Sequence, residues 1–258
     1  MRHALSPDGL ADLARTMAGH PLLAFDFDGT LADIVEHPDD AKVEPAVSAA
    51  LAALAARFPV AIVTGRSVAD VTHRLSFEPA YVVGSHGAED PAGELAPGSL
   101  SRLNPLRDQL QASAGAWHAA GIRLEDKGYS LALHYRRAAD VDAARRIAEG
   151  LVADLPEGLR SFGGKCVVNV VPQDAPDKGQ AVLALMRRAG ADGVVYVGDD
   201  VNDEAVFRLA GPGWLTVRVG RDDPSSAAMY GLDGHGQVLE HLLAMLEIAR
   251  AVTGSCGP

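Results

Sequence analysis

Cysteine is almost absent from this chain, with two in 258 residues: Cys166 inside the apolar stretch CVVNVV and Cys256 in the terminal Gly-Ser-Cys-Gly-Pro tail. That pair gives no disulfide framework, so the fold is expected to rest on its own core and to suit a reducing, cytoplasmic setting. Long apolar runs are also missing. No segment is long and apolar enough to span a bilayer, and the opening MRHALSPDGLADLARTMAGH lacks the uninterrupted apolar centre of a signal peptide. Positive charge is in short supply, 23 Lys and Arg against 34 Asp and Glu, for a formal net charge of -11. Nucleic acid and anionic membrane call for clustered cations, so neither is an expected partner. Low-complexity segments are absent too.

What is present reads as a folded α/β protein of about two domains. Apolar runs of strand length occur at Leu22–Phe25, Val60–Val63, Tyr81–Val83, Val194–Val197 and Leu215–Val219. Between them, Pro45–Phe58, Ser67–Leu75, Gln180–Ala189 and Val238–Ala251 carry apolar residues at helical spacing, and the residues before Pro21 are expected to pack as a helix. Strands alternating with helices predict a Rossmann-like, doubly wound parallel sheet covered on both faces. Leu215–Val219 is expected to be its last strand. Ligands of such sheets sit outside the carboxyl ends of the strands.

The middle of the chain follows a different pattern. Leu103–His118 predicts a helix, Ile122–Asp126 and Ser130–Tyr135 two strands joined at Lys127-Gly128-Tyr129, Val141–Leu155 a second helix, and Leu159–Phe162 and Lys165–Val171 a strand pair turning through Gly163-Gly164. The order αββαββ implies a small α+β domain with an antiparallel sheet inserted into the parallel one. Its expected span is 103–173, with 1–102 and 174–258 forming the core.

The most informative stretch is LLAFDFDGTLADI, where an apolar strand ends in Asp26 and Asp28. Two unpaired carboxylates there would be costly to bury. The cost is relieved if Mg²⁺ sits beside them, because that ion takes hard oxygen ligands from one or two carboxylates and completes its shell with water and phosphate. Asp28-Gly29 is equally a turn dipeptide, Thr64-Gly65 could end a strand, Lys178 could be solvated, and the acidic run from Asp199 to Glu204 could cap a helix.

Together these residues describe a phosphoryl site. Asp26 is the candidate nucleophile, Asp28 the general acid and base, Thr64 a hydrogen-bond donor to a phosphoryl oxygen through hydroxyl and amide, and Lys178 a neutralising cation. Asp199 would complete the Mg²⁺ site with Asp26 and the main-chain carbonyl of Asp28, supported by Asp200 and Asp203.

DFDGT, TGRS, the lysine of DKG and GDDVNDE, in that order, resemble the four motifs of the haloacid dehalogenase (HAD) superfamily, whose core carries an inserted cap. The resemblance implies an aspartyl-phosphate mechanism with Mg²⁺, and the presence of Asp28 implies phosphatase or phosphomutase chemistry. GSHGAE, LEDKGYSLALHYR and GKCVV further resemble the trehalose-6-phosphate phosphatases. Carried over by position, Arg66, His86, Gly87, Glu89, Glu125, Lys127, His134, Arg136 and Asn169 become substrate-binding candidates for a sugar phosphate. The expected assembly is a monomer or weak homo-oligomer.

The resemblance breaks at three places. Asn169 stands where the family usually has glutamate, Val171 where a basic residue precedes proline, and Asn202 where threonine is common. Replacing a buried charged partner of a sugar hydroxyl by an amide costs about 1 to 3 kcal/mol of selectivity. Another glycosyl or pseudo-disaccharide phosphate is therefore the alternative substrate, and a non-catalytic sugar-phosphate sensor the alternative of a different class.

Overall fold

The computed structural model describes residues 1–254 apart from Glu36, Glu94 and Ala96; Cys256 lies outside them. In chain order the first elements are β1 (Arg2–His3), α1 (Pro7–Met17), β2 (Leu22–Phe25), α2 (Pro45–Ala55), β3 (Val60–Val63), α3 (Val68–Thr72) and β4 (Tyr81–Val83). Then come α4 (Asn104–Ala112), α5 (Ala114–Ala119), β5 (Arg123–Asp126), β6 (Leu131–His134), α6 (Val141–Leu151), β7 (Leu159–Gly164) and β8 (Val167–Pro172). The chain closes with α7 (Lys178–Arg188), β9 (Val194–Gly198), α8 (Glu204–Leu209), β10 (Trp214–Val219), β11 (Tyr230–Leu232) and α9 (Val238–Gly254). Among the described residues no helix is long and apolar enough to cross a membrane.

Two compact units emerge, 1–91 with 177–258, and 92–176. Residues 92–102 and 174–176 thus go with the inserted unit rather than with the core. Side-chain bonds explain the placement: Ser99 Oγ donates to Asp174, and Arg102 Nη1 reaches the same carboxylate at 3.3 Å.

The first unit holds a seven-stranded sheet in the order β1-β11-β10-β9-β2-β3-β4, parallel at every pairing. Its central strands β2, β3 and β9 are buried along their whole length, which is why they read as continuous apolar runs. Each fully buried Val, Leu, Ile or Phe among them contributes about 1.5 to 3 kcal/mol. The helices start on chemical signals. Ser6 caps α1 by accepting from Gly9 N, with Pro7 in the first turn. Asp177 and Gln180 form a reciprocal capping box on α7.

Leu215–Val219 is not the last strand: β11 adds to one side of it and β1 to β11. Both are too short, at three and two residues, for a periodic signal.

The second unit is a four-stranded antiparallel sheet in the order β5-β6-β8-β7, with Leu106, Leu110, Trp117, Leu131, Leu133 and Val168 in its core. The expected helix 103–118 is broken at Ser113, whose hydroxyl bonds back to Gln109 O at 3.0 Å, the local competition that interrupts helices at serine. The β7–β8 turn falls at Lys165-Cys166 instead of Gly163-Gly164. Both glycines stay paired in β7, opposite Val168 and Val167, and Cys166 takes the left-handed conformation with φ +60°.

Candidate active site

Asp26 follows β2 directly. Its amide donates to Val197 O at 2.9 Å, which sets it across from the end of β9, and the residue is 5% exposed. One carboxylate oxygen, Oδ1, accepts from Phe27 N at 2.7 Å, and the other lies 2.9 Å from Lys178 Nζ. Lys178 comes from the first turn of α7, where the capping box fixes its direction, and is 2% exposed.

Asp203 is fully buried and accepts three protein hydrogen bonds. Lys178 Nζ (2.7 Å) and Tyr196 OH (2.7 Å) reach Oδ1, and Asp200 N (2.8 Å) reaches Oδ2. This carboxylate positions the lysine and the loop after β9. The close approach depends on Gly198, where a Cβ would stand 2.4 Å from Asp203 Cγ. Asp200 receives Asn202 Nδ2 at 3.2 Å, so the asparagine at 202 braces the loop.

Carboxylate oxygens of Asp26, Asp199 and Asp203 lie within 4.8 Å of one another, all three residues buried. Burial, with Lys178 pulling the other way and the charges of Asp203 and Asp199 adding to the push, holds the Asp26 carboxyl well above the usual range. Lys178 stays firmly charged: burial works against its ammonium, and Asp203 and Asp26 more than offset it. Three buried carboxylates against one ammonium leave uncompensated negative charge. An all-oxygen, acidic donor set of this kind suits a hard divalent cation.

Asp28 is not part of that acidic group. Arg66 grips it with Nε to Oδ2 at 2.8 Å and Nη2 to Oδ1 at 2.7 Å. The turn function of Asp28-Gly29 is nonetheless present, since Gly29 has φ +81°. It is also part of the site, because a Cβ there would fall 2.2 Å from Asp199 Oδ2.

Thr64 is fully buried after β3. Its amide is used by Val83 O at 2.9 Å, and its Oγ1 accepts from Arg66 N at 3.2 Å. Only the hydroxyl proton is left to offer a phosphoryl oxygen, so the expected amide contact is spent inside the sheet.

Ser85, His86 and Gly87 are three successive residues with positive φ, a costly run for non-glycine residues. It places the His86 ring against Gly65, where a Cβ would be 2.4 Å from Cε1. Gly87 packs on the Asp177 carbonyl just before Lys178. Glu89 braces this loop by accepting from Val68 N (3.0 Å) and Ser85 Oγ (3.2 Å).

In the second unit, His134 Nε2 is 2.7 Å and Lys127 Nζ 3.5 Å from Glu125 Oε2. Burial raises the Glu125 pKa, but His134 and Lys127 outweigh it and keep the carboxyl below the usual range. Arg136 Nη2 donates to Lys165 O at 3.3 Å. Asn169 pairs with Ala132, which pairs with Glu125, so all three share a sheet face. Asn169 is fully buried, and neither Oδ1 nor Nδ2 has a hydrogen-bond partner.

Tyr196 in the site, and Asp70 and Arg74 behind Arg66, escaped the sequence reading. Tyr196 lies hidden in the apolar run VVYVG, whereas Arg66, Asp70 and Arg74 advertise themselves by alternating charge at intervals of four.

Residues 24–217 match the trehalose-phosphatase family model. The chain belongs to the trehalose-phosphatase family. The trehalose-phosphate phosphatase of Mycobacterium bovis is 34% identical over 252 residues, covering 92% of this chain and 63% of that protein. That of Mycolicibacterium paratuberculosis is 35% identical over 255 residues, covering 90% and 62%. This trehalose-phosphatase family member therefore spans less than two thirds of the length of those relatives. Its fold is that of the C-terminal domain of the Candida albicans trehalose-6-phosphate phosphatase, with a TM-score of 0.76 at 21% identity, covering 96% of this chain and 98% of that one. A seven-stranded parallel sheet with a separate four-stranded antiparallel one is the α/β arrangement expected from the sequence.

Proposed function

We propose that this chain hydrolyses trehalose 6-phosphate to trehalose and phosphate with Mg²⁺ as cofactor. The observation that carries the chemistry is the buried arrangement in which Lys178 bridges Asp26 and Asp203 beside Asp199; family membership carries the substrate.

Asp26 attacks phosphorus, the bond from phosphorus to the sugar oxygen breaks, and Asp28 gives that oxygen its proton. Asp28 then takes a proton from the water that attacks the aspartyl phosphate, returning Asp26 to a free carboxylate. Lys178 offsets phosphoryl charge, and the Thr64 hydroxyl donates to a phosphoryl oxygen. Asp26, Asp199 and the Asp28 carbonyl would hold Mg²⁺, with Asp200 and Asp203 behind them. When bound, that ion supplies charge neutralisation for the phosphoryl group and the nucleophile. His86, Gly87 and Glu89 shape the floor next to Thr64 and Lys178. In the inserted unit, a cap that sets substrate choice, Glu125, Lys127, His134, Arg136 and Asn169 recognise sugar hydroxyls.

One observation favours a second reading within the same chemistry. Asn169 is neutral and unpartnered at a position where the family resemblance implies a glutamate, which suits a different glycosyl phosphate. Phosphate release from trehalose 6-phosphate, sucrose 6-phosphate, glucosylglycerol phosphate and glucose 6-phosphate, with and without Mg²⁺, decides between them. Trehalose 6-phosphate is expected to give the highest kcat/KM. A much faster substrate in that panel would replace it.

A further inference from the structure

Asp28 has to deliver a proton to one atom, yet its side chain is 43% exposed and an aspartate carboxylate turns in a broad, roughly two-fold torsional well. Something must hold its plane. Arg66 does so through two parallel bonds, and Arg66 is itself held from two further sides. Its Nη1 donates to Asp70 Oδ2 at 2.7 Å, and its guanidinium lies 5.3 Å above the centre of the buried Phe27 ring. Asp70 in turn accepts on Oδ1 from Arg74 Nη2 at 2.7 Å and Nε at 3.1 Å. Arg74 is anchored by the carbonyls of Asp39 (2.8 Å) and Ala41 (3.3 Å).

The two arginine side chains are only 10% and 13% exposed. Opposite charges alternate from Asp28 through Arg66 and Asp70 to Arg74, and the far end is tied to main chain. The segment carrying those carbonyls is linked back to Asp28 by bridges from Val43 to Ala32 and from Ala32 to Asp28. The ladder therefore closes on the strand end that it serves.

We propose that Arg66, Asp70 and Arg74 are positioning residues that fix the Asp28 carboxylate for proton transfer to the leaving oxygen. This rests on the phosphatase reading. It assigns Arg66 to the acid rather than to substrate, since three of its donors are committed to Asp28 and Asp70. Bidentate guanidinium–carboxylate pairs give this geometric control, which a lysine does not reproduce.

Leaving-group dependence tests it. A sugar oxygen needs a proton as it departs, whereas nitrophenolate does not. First-turnover rates of sugar release from trehalose 6-phosphate and of phenolate release from p-nitrophenyl phosphate are measured for wild type, Arg66→Met, Arg66→Lys, Asp70→Asn and Arg74→Gln, each checked by its melting curve. Misplacing a general acid is expected to slow sugar release about 10- to 100-fold, while KM and the nitrophenolate rate stay within about 3-fold. Arg66→Lys should show the same selectivity with a smaller loss. Asp70→Asn and Arg74→Gln, both outside the phosphoryl site, carry the test if the Arg66 variants do not fold. Equal losses on both substrates, a rise in KM alone, or unchanged rates in Asp70→Asn would overturn the ladder while leaving an active phosphatase. An inactive wild type would overturn both.

Discussion

Tyr196 donates its buried hydroxyl to Asp203 Oδ1 at 2.7 Å, the same oxygen that receives Lys178 Nζ. A tyrosine in the middle of an apolar strand thus steadies the cation beside Asp26. Burial and the charges of Asp203 and Asp26 keep its phenol protonated far above the ordinary range, so it remains a donor at every working pH.

Tyr196→Phe removes this donor and leaves a buried carboxylate short of one bond. Such a loss costs about 1 to 3 kcal/mol, or a melting temperature lower by roughly 2 to 12 °C for a chain of this size. Calorimetry reads the shift, and turnover should fall with it because Lys178 is less fixed. An unchanged melting curve and rate would remove Tyr196 from the site.

Asp26→Asn should be at least as stable as wild type at neutral pH. The Asp26 carboxyl is raised in the folded state, so the folded protein binds a proton that the unfolded chain releases, and ionisation costs stability as pH rises. The amide carries no such cost. Melting at pH 7.5 in chelator should show the variant equal or higher, with the gap closing when Mg²⁺ is added. A clear loss of stability would mean that the negative charge of Asp26 is already fully balanced by Lys178.

Gly29→Ala should damage both fold and metal site. A left-handed φ costs an L-residue about 1 to 2 kcal/mol, and the new Cβ would displace the Asp199 carboxylate. Mg²⁺ titration of the variant is expected to show weaker binding together with lower melting. Wild-type Mg²⁺ affinity would rule out Asp199 as a ligand.

A pH effect is also expected from a histidine in α9. His241 in α9 is 1% exposed, its ring nitrogens have no hydrogen-bond partner, and burial lowers its pKa from 6.5 to about 4. A histidine depressed on folding stabilises nothing by charging: its contribution is intact above pH 6.5 and is lost as pH falls toward 4, because the unfolded chain takes up the proton first. The loss amounts to roughly 3 kcal/mol across that window. His241→Leu should flatten the acid side of the stability profile. A profile identical to wild type between pH 6.5 and 4 would contradict the assignment.

Much of the catalytic geometry was legible because the motifs follow buried strands, and a parallel sheet gathers strand ends. Asp26, Thr64 and Asp199 follow strands and fall under that rule, whereas Lys178 opens helix α7 and does not. The partners of those residues were harder to read. The pairing of Arg66 with Asp28 and the bracing of a loop by Glu89, through a main-chain amide and a serine hydroxyl, leave no mark in the motifs. Tyr196 was masked by the apolar character of its strand. The breaks at Ser113 and Cys166 depend on local backbone bonding and on a left-handed residue, neither of which has a hydrophobic period to reveal it.

The central claim is that Asp26 is the nucleophile of a Mg²⁺-dependent phosphatase. Phosphate release from trehalose 6-phosphate by wild type and by Asp26→Asn, at saturating Mg²⁺ and in chelator, tests it most directly. The account predicts turnover by wild type with Mg²⁺ only, and none above background by the folded variant. Turnover retained by Asp26→Asn, or undiminished in chelator, would contradict it.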